Sequence, residues 1–170
     1  PSLARLAHSV LACHAGPEIG VAATKTFVAQ VVTGVSTALS ALVATGRIGR
    51  DEASVALADL RRVPDRLAQA IAVSRECVSA LIFGLRSQEG FLFLGRGPGV
   101  VFAAEGALKL KELSYRWAEH YPAGELKHGP LALVGRGTPV VVIDSGDPGL
   151  ESSIAEVTAP AGGFLPAGAA

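Results

Sequence analysis

The apolar and polar positions change period several times along the chain, and the changes mark its elements. Ser9 to Ala12 reads as a short buried strand, followed by a loop from Cys13 to Ile19 that carries Gly16-Pro17. A long helical segment runs from about Val21 to Thr45, with Lys25 near its start. Gly46 and Gly49 bracket a turn, and Asp51 is placed to cap a helix that reaches about Leu60. Pro64 starts or kinks a further helix rich in Ala, Leu and Arg. Phe91 to Leu94 reads as a strand, Gly95 to Gly99 as a loop, and Val100 to His120 as a strong helix ended by Pro122. Pro139 to Ile143 is the clearest strand, continuous and β-branched, as in a parallel sheet buried on both faces. Asp147 to Val157 reads as a helix and Gly162 to Leu165 as another strand. Strands alternating with helices place the chain in the α/β class. One early strand and three after residue 90 suggest the tail of one α/β unit (1–46), a helical connection (47–84) and the opening of a second unit (85–170).

Thr26 to Gly46 carries no charge over 21 residues, long enough to raise a membrane span. Gln30, Thr33, Ser36, Thr37, Ser40 and Thr45 interrupt it, with Gly34 in the middle, so it reads as a buried or interface helix. Its small residues would let another helix approach closely, which makes it a dimer-interface candidate. Apolar residues make up 49% of the chain, enough for a core. Lys plus Arg is 15 and Asp plus Glu is 15, a balance that argues against a general nucleic-acid or anionic-membrane partner. Cys13 and Cys77 make neither a disulfide framework nor a metal site, and His8, His14 and His120 have no metal-ligand spacing. The chain has no Met and starts at Pro1, as a processed chain or an excerpt of a longer one would; Arg5 does not lead into a signal-peptide core. The run Gly95-Arg96-Gly97-Pro98-Gly99 is a dinucleotide loop in outline only, because the third glycine falls on Val100. No cofactor is expected. The run does sit where open α/β sheets bind ligands, and a plain tight turn is an equal reading.

The chemistry lies further on. Extended as one helix, positions 105, 109, 112, 116 and 119 form a stripe of Glu105, Lys109, Glu112, Arg116 and Glu119. Such a stripe is commonly a solvated face with pairs one turn apart. It can also serve proton transfer, since an ammonium favours the ionised form of a neighbouring carboxylate, which can then act as a base on a carbon acid. His128 lies in Ala123-Gly124-Glu125-Leu126-Lys127-His128-Gly129-Pro130, bounded by glycine and proline. An imidazole there suits ring opening or proton shuttling, and an idle structural role is the competing reading.

The segments LFLGRGPGVVFAAEGALKLKELSY and AGELKHGPLAL together resemble the isomerase half of the glutamine–fructose-6-phosphate aminotransferases, and AGPEIGVAATKTFVAQ resembles the end of that family's first sugar isomerase (SIS) domain. The resemblance runs from Pro1 to about Leu165. It implies SIS-type parallel sheets flanked by helices, present as parts of two tandem SIS domains. It implies fructose 6-phosphate as substrate, glucosamine 6-phosphate as product, and a cytoplasmic homodimer. Carried over by the matching motifs, Glu112 is the carboxylate that moves a proton between C1 and C2, and Lys109 the lysine beside it. His128 matches the histidine that assists sugar ring opening, supplied from the neighbouring subunit in the family dimer. Val21 and Ala23 match positions lining the sugar site, where Ala23 stands in place of a serine found in many relatives. Glu105 takes the matching place at the start of the helix.

Interconversion of a ketose and an aldose passes through an enediol or enolamine. It needs one base facing both carbons and donors for the charge that develops. The family's S-x-S-G-E-T phosphate loop, its glutaminase domain and its C-terminal Schiff-base lysine have no counterpart in these 170 residues, so the chain alone is expected to be inactive. A stand-alone SIS deglycase or deaminase, and a non-catalytic SIS regulator that binds sugar phosphates, are the alternative readings.

Overall fold

The computed structural model describes residues 2–135 and 137–158. The chain divides into two compact units, Pro1–Ser79 and Ala80–Ala170.

The first unit is helical. After α1 (Ser2–Leu6) come α2 (Lys25–Ala44), α3 (Arg50–Leu60) and α4 (Val63–Leu85), the last running on into the second unit. Ser9 to Ala12 is not a strand, and all four residues are exposed. The first unit offers no second strand among its described residues, so the backbone polar groups of this segment have no ladder to join. Asp51 does not cap α3. Gly49 holds that place with extended backbone, and Asp51 and Glu52 lie in the first turn, where negative charge suits the helix dipole. Pro64 sits in the first turn of α4, where a missing N–H costs nothing.

α2 starts four residues later than its sequence suggests, and none of its residues is buried within the chain. Its hydroxyls do not behave as polar interruptions. Thr33, Ser36, Thr37, Ser40 and Thr45 each donate to the carbonyl four residues back, at 2.7–2.9 Å. By length and composition, α2 and the stretch Arg50–Leu85 are apolar enough to cross a membrane, with mean hydropathy 1.8 and 1.3.

The second unit is built on a parallel three-stranded sheet: β1 (Gly90–Gly95), β2 (Trp117–Pro122) and β3 (Val140–Ile143), in the order β2-β1-β3. Phe91 lies opposite Ala118, and Phe93 opposite Val141. The central strand alternates between two cores, as the two-residue period of a strand requires. Leu92 and Leu94 pack with Ala123, Leu126, Val134 and Leu150 on one face. Phe91 and Phe93 pack with Ala103, Ala107 and Ala118 on the other. With both faces covered, β1 reads as an unbroken apolar run.

β2 overturns the long helix expected from Val100 to His120. α5 spans only Gly99–Ser114, and Tyr115 stops it in a left-handed conformation, φ 57°. Trp117–Pro122 then pairs alongside β1, and Pro122 ends a strand rather than a helix. The seam between β1 and α5 explains the glycine run. A Cβ on Gly95 would lie 2.3 Å from the Gly99 carbonyl carbon, and one on Gly99 would lie 2.8 Å from the Ile143 carbonyl oxygen. Only glycine lets the first turn of α5 rest this close to two strand ends. After β2 the chain makes two 3-10 helices, Ala123–His128 and Pro130–Leu133, and after β3 it forms α6 (Leu150–Thr158). The expected strand from Gly162 to Leu165 lies outside the described residues.

Candidate active site

α5 has two faces. Ala103 and Ala107, one turn apart and fully buried, press onto the sheet, and Gly106 leaves room for the Phe93 ring. Glu105, Lys109 and Glu112 lie on the opposite stripe. The Lys109 ammonium sits between the two carboxylates, 2.6 Å from Glu112 Oε2 and 3.4 Å from Glu105 Oε1. All three side chains are only about one-fifth exposed. The hydrogen bond to Glu112 holds the Lys109 ammonium above its ordinary value; partial desolvation opposes this, and Glu105 adds to it. Lys109 is therefore a fixed cation rather than an amine nucleophile. One cation between two anions leaves net negative charge on a partly shielded helix face, with Glu112 the more tightly held carboxylate.

The stripe ends there. Arg116 and Glu119 lie beyond the helix stop, so Glu112 and Arg116 do not pair. Arg116 donates to the carbonyls of Gln88 and Arg86, tying the entry of β2 to the entry of β1. Glu119 lies 3.9 Å from Lys111.

His128 is not in an irregular loop. It is the last residue of the 3-10 helix Ala123–His128, with its Nδ1 2.8 Å from Glu125 Oε2. Among the described residues, no hydrogen bond or ion pair joins it to the α5 cluster. Val21 and Ala23 belong to the first unit, in the segment before α2. That segment is pinched shut at its base. Glu18 accepts from the Thr26 backbone N–H at 3.1 Å and from Thr26 Oγ1 at 2.5 Å, and Lys25 Nζ donates to the Pro17 carbonyl at 2.7 Å. The Thr26 hydroxyl is the main cause of a Glu18 carboxyl held below its ordinary value.

Two further side chains meet at the carboxyl ends of β1 and β3. Arg96 Nε lies 3.0 Å from Asp147 Oδ1, and Ser145 Oγ donates to the Arg96 carbonyl at 3.0 Å. Sequence reasoning missed this pair, because 51 positions separate its members; the only local signal was the glycines flanking Arg96. A cavity of about 520 Å³ in the first unit is lined mainly by apolar side chains, among them Cys13, Val28, Val32 and Leu67, and touches none of Glu105, Lys109, Glu112 or His128. Among the described residues, no group of three His, Cys, Asp or Glu could hold a metal.

Comparison with known proteins supplies the relationship. Residues 84–155 match the SIS domain family. The chain is 45% identical over 142 residues to the isomerizing glutamine–fructose-6-phosphate aminotransferase of Methanosarcina acetivorans, covering 84% of this chain and 23% of that protein. It is 44% identical over 156 residues to the same enzyme of Thermus thermophilus, covering 92% of this chain and 26% of that protein. The chain thus spans about a quarter of the length of these curated relatives. Among solved structures, the C-terminal domain of glucosamine-fructose-6-phosphate aminotransferase from Francisella tularensis superposes with a TM-score of 0.80 at 37% identity, covering 85% of this chain and 41% of that one. The parallel sheet flanked by helices is the SIS fold; residues 84–155 match the SIS domain family, and most of the chain is similar in sequence to part of the isomerizing glutamine–fructose-6-phosphate aminotransferases.

Proposed function

We propose that this chain supplies part of the sugar-phosphate site of an enzyme that converts fructose 6-phosphate and glutamine into glucosamine 6-phosphate. The observation that carries the reading is the Glu105–Lys109–Glu112 cluster on α5, a partly shielded carboxylate tied to a fixed ammonium. In this reading Glu112 takes a proton from C1 of the C2 imine of the sugar and returns it at C2, while the nitrogen gains a proton and the C1 hydroxyl loses one, giving the 2-amino aldose. Lys109 holds Glu112 in place and Glu105 holds Lys109. His128 moves a proton during ring opening. Val21 and Ala23 are read as sugar-binding positions, on a segment kept in shape by the Glu18–Thr26 clasp. The chain is read as parts of two tandem SIS domains, bounded at 1–46, 47–84 and 85–170. The parent is read as a cytoplasmic homodimer without nucleic-acid or membrane partners, with the apolar face of α2 covered by protein.

The test is Glu112→Gln in the longer natural polypeptide. General-base catalysis is worth roughly 10²- to 10⁴-fold, so glucosamine 6-phosphate formation should fall by about that factor while fructose 6-phosphate still binds. Unchanged turnover would reduce the cluster to a helix-surface ion pair.

A further inference from the structure

We propose that Glu125 is the positioning residue for His128, holding its imidazole as the Nδ1–H tautomer and leaving Nε2 to exchange protons with a substrate oxygen. The proposal rests on the role given to His128 above and adds the group that sets its ring.

A 3-10 helix has three residues per turn, so side chains at i and i+3 eclipse one another. The helix Ala123–His128 holds three i,i+3 pairs, and because Gly124 has no side chain only two of them stack side chains. Ala123 and Leu126 are 1% and 0% exposed and sit in the core beside Leu92 and Leu94. Glu125 and His128 form the second pair, 73% of the His128 side chain and 60% of the Glu125 side chain being exposed. The buried pair bolts the turn to the sheet, and the eclipsed geometry stacks the exposed pair. Gly129 follows at φ 139°, a conformation that L side chains rarely adopt, and ends the helix on His128.

The chemistry then follows from the inventory of donors. An ionised carboxylate only accepts, so the 2.8 Å contact places the proton on His128 Nδ1. In the neutral ring the lone pair is then on Nε2, pointing away from Glu125. A free histidine side chain prefers the opposite tautomer, with the proton on Nε2. The tautomer is therefore a signature of this contact that a purely structural glutamate would not set.

The experiment records long-range proton–nitrogen correlation spectra of the full chain labelled with nitrogen-15 at histidine, at a pH where the imidazoles are neutral. The His128 signals are assigned by their loss in His128→Asn. His128 should be mainly Nδ1–H in the wild type and mainly Nε2–H in Glu125→Ala. Glu125→Gln, whose amide oxygen still accepts, should retain part of the Nδ1–H form. An Nε2–H ring in the wild type, or a tautomer unmoved by Glu125→Ala, overturns the proposal. In the longer polypeptide, Glu125→Ala should lower kcat about tenfold with little change in KM. Full turnover in Glu125→Ala, where Glu112→Gln is inactive, also overturns it. Full turnover in Glu112→Gln sinks the proposed function instead, and the tautomer still decides the Glu125–His128 link.

Discussion

Leu126→Ala tests how firmly the turn that carries His128 is anchored. Among the described residues, Leu126 is one of the two largest fully buried side chains, held between Leu92, Leu94, Val134 and Leu150. The substitution removes three buried carbons, roughly 2.4 kcal/mol at about 0.8 kcal/mol each. A cavity term adds to this, because Leu92 and Leu94 are fixed in the central strand and cannot collapse inward. The total should be about 3–4 kcal/mol, inside the usual range of about 2–5 kcal/mol for such truncations. Set against a typical domain stability of about 5–15 kcal/mol, that is a large loss. Urea unfolding followed by circular dichroism measures it, and hydrogen exchange at the Leu92–Leu94 amides assigns it to the second unit. Leu133→Ala is the matched control: Leu133 is 61% exposed and should cost no more than about 0.5 kcal/mol. A Leu126→Ala cost below about 1 kcal/mol, or equal to that of Leu133→Ala, would refute the anchoring.

Three further outcomes are expected. Tyr115→Gly should stabilise by about 0.5–1 kcal/mol, raising Tm by a few degrees, because Tyr115 is 93% exposed and held at φ 57°; an unchanged or lower Tm counts against it. Gly95→Ala should cost at least about 2 kcal/mol in urea unfolding, since its Cβ would meet backbone at 2.3 Å, and a neutral result means that the first turn of α5 can move aside. Glu18→Gln should destabilise near neutral pH. Because the folded-state value of Glu18 is lowered, its contribution is full above the ordinary 4.5 and fades as pH falls through the lowered value. The gap between wild-type and variant urea midpoints should therefore close in acid, and a gap independent of pH would contradict the clasp.

The parts of the fold written in local pattern were legible. β1 announces itself as an unbroken apolar run because both its faces are covered, β3 does so as an edge strand of four half-buried residues, and the Glu105–Lys109–Glu112 stripe follows from helix geometry alone. The helix stop at Tyr115 was not legible, because no glycine marks it and the charged spacing continues through Arg116 and Glu119. What turns Trp117–Pro122 into a strand is an open edge of β1 beside it, with Ala118 fully buried there, and tertiary pairing outweighs a weak local helical preference. Ser9 to Ala12 failed in the opposite sense: an apolar stretch with no ladder to join stays irregular. Arg96 with Asp147, and Glu125 with His128, needed the path of the chain and the type of helical turn, neither of which residue spacing reveals.

The back-bonded hydroxyls of α2 change what its alphabet means. A serine or threonine that has already given its proton to its own helix presents a neighbour with a small bump and an oxygen that can only accept. At Thr33, Ser36, Thr37, Ser40 and Thr45, exchange among Ser, Thr, Ala and Val would alter the spelling of the helix far more than its surface. Lineages could drift there in apparent polarity while α2 kept the same shape.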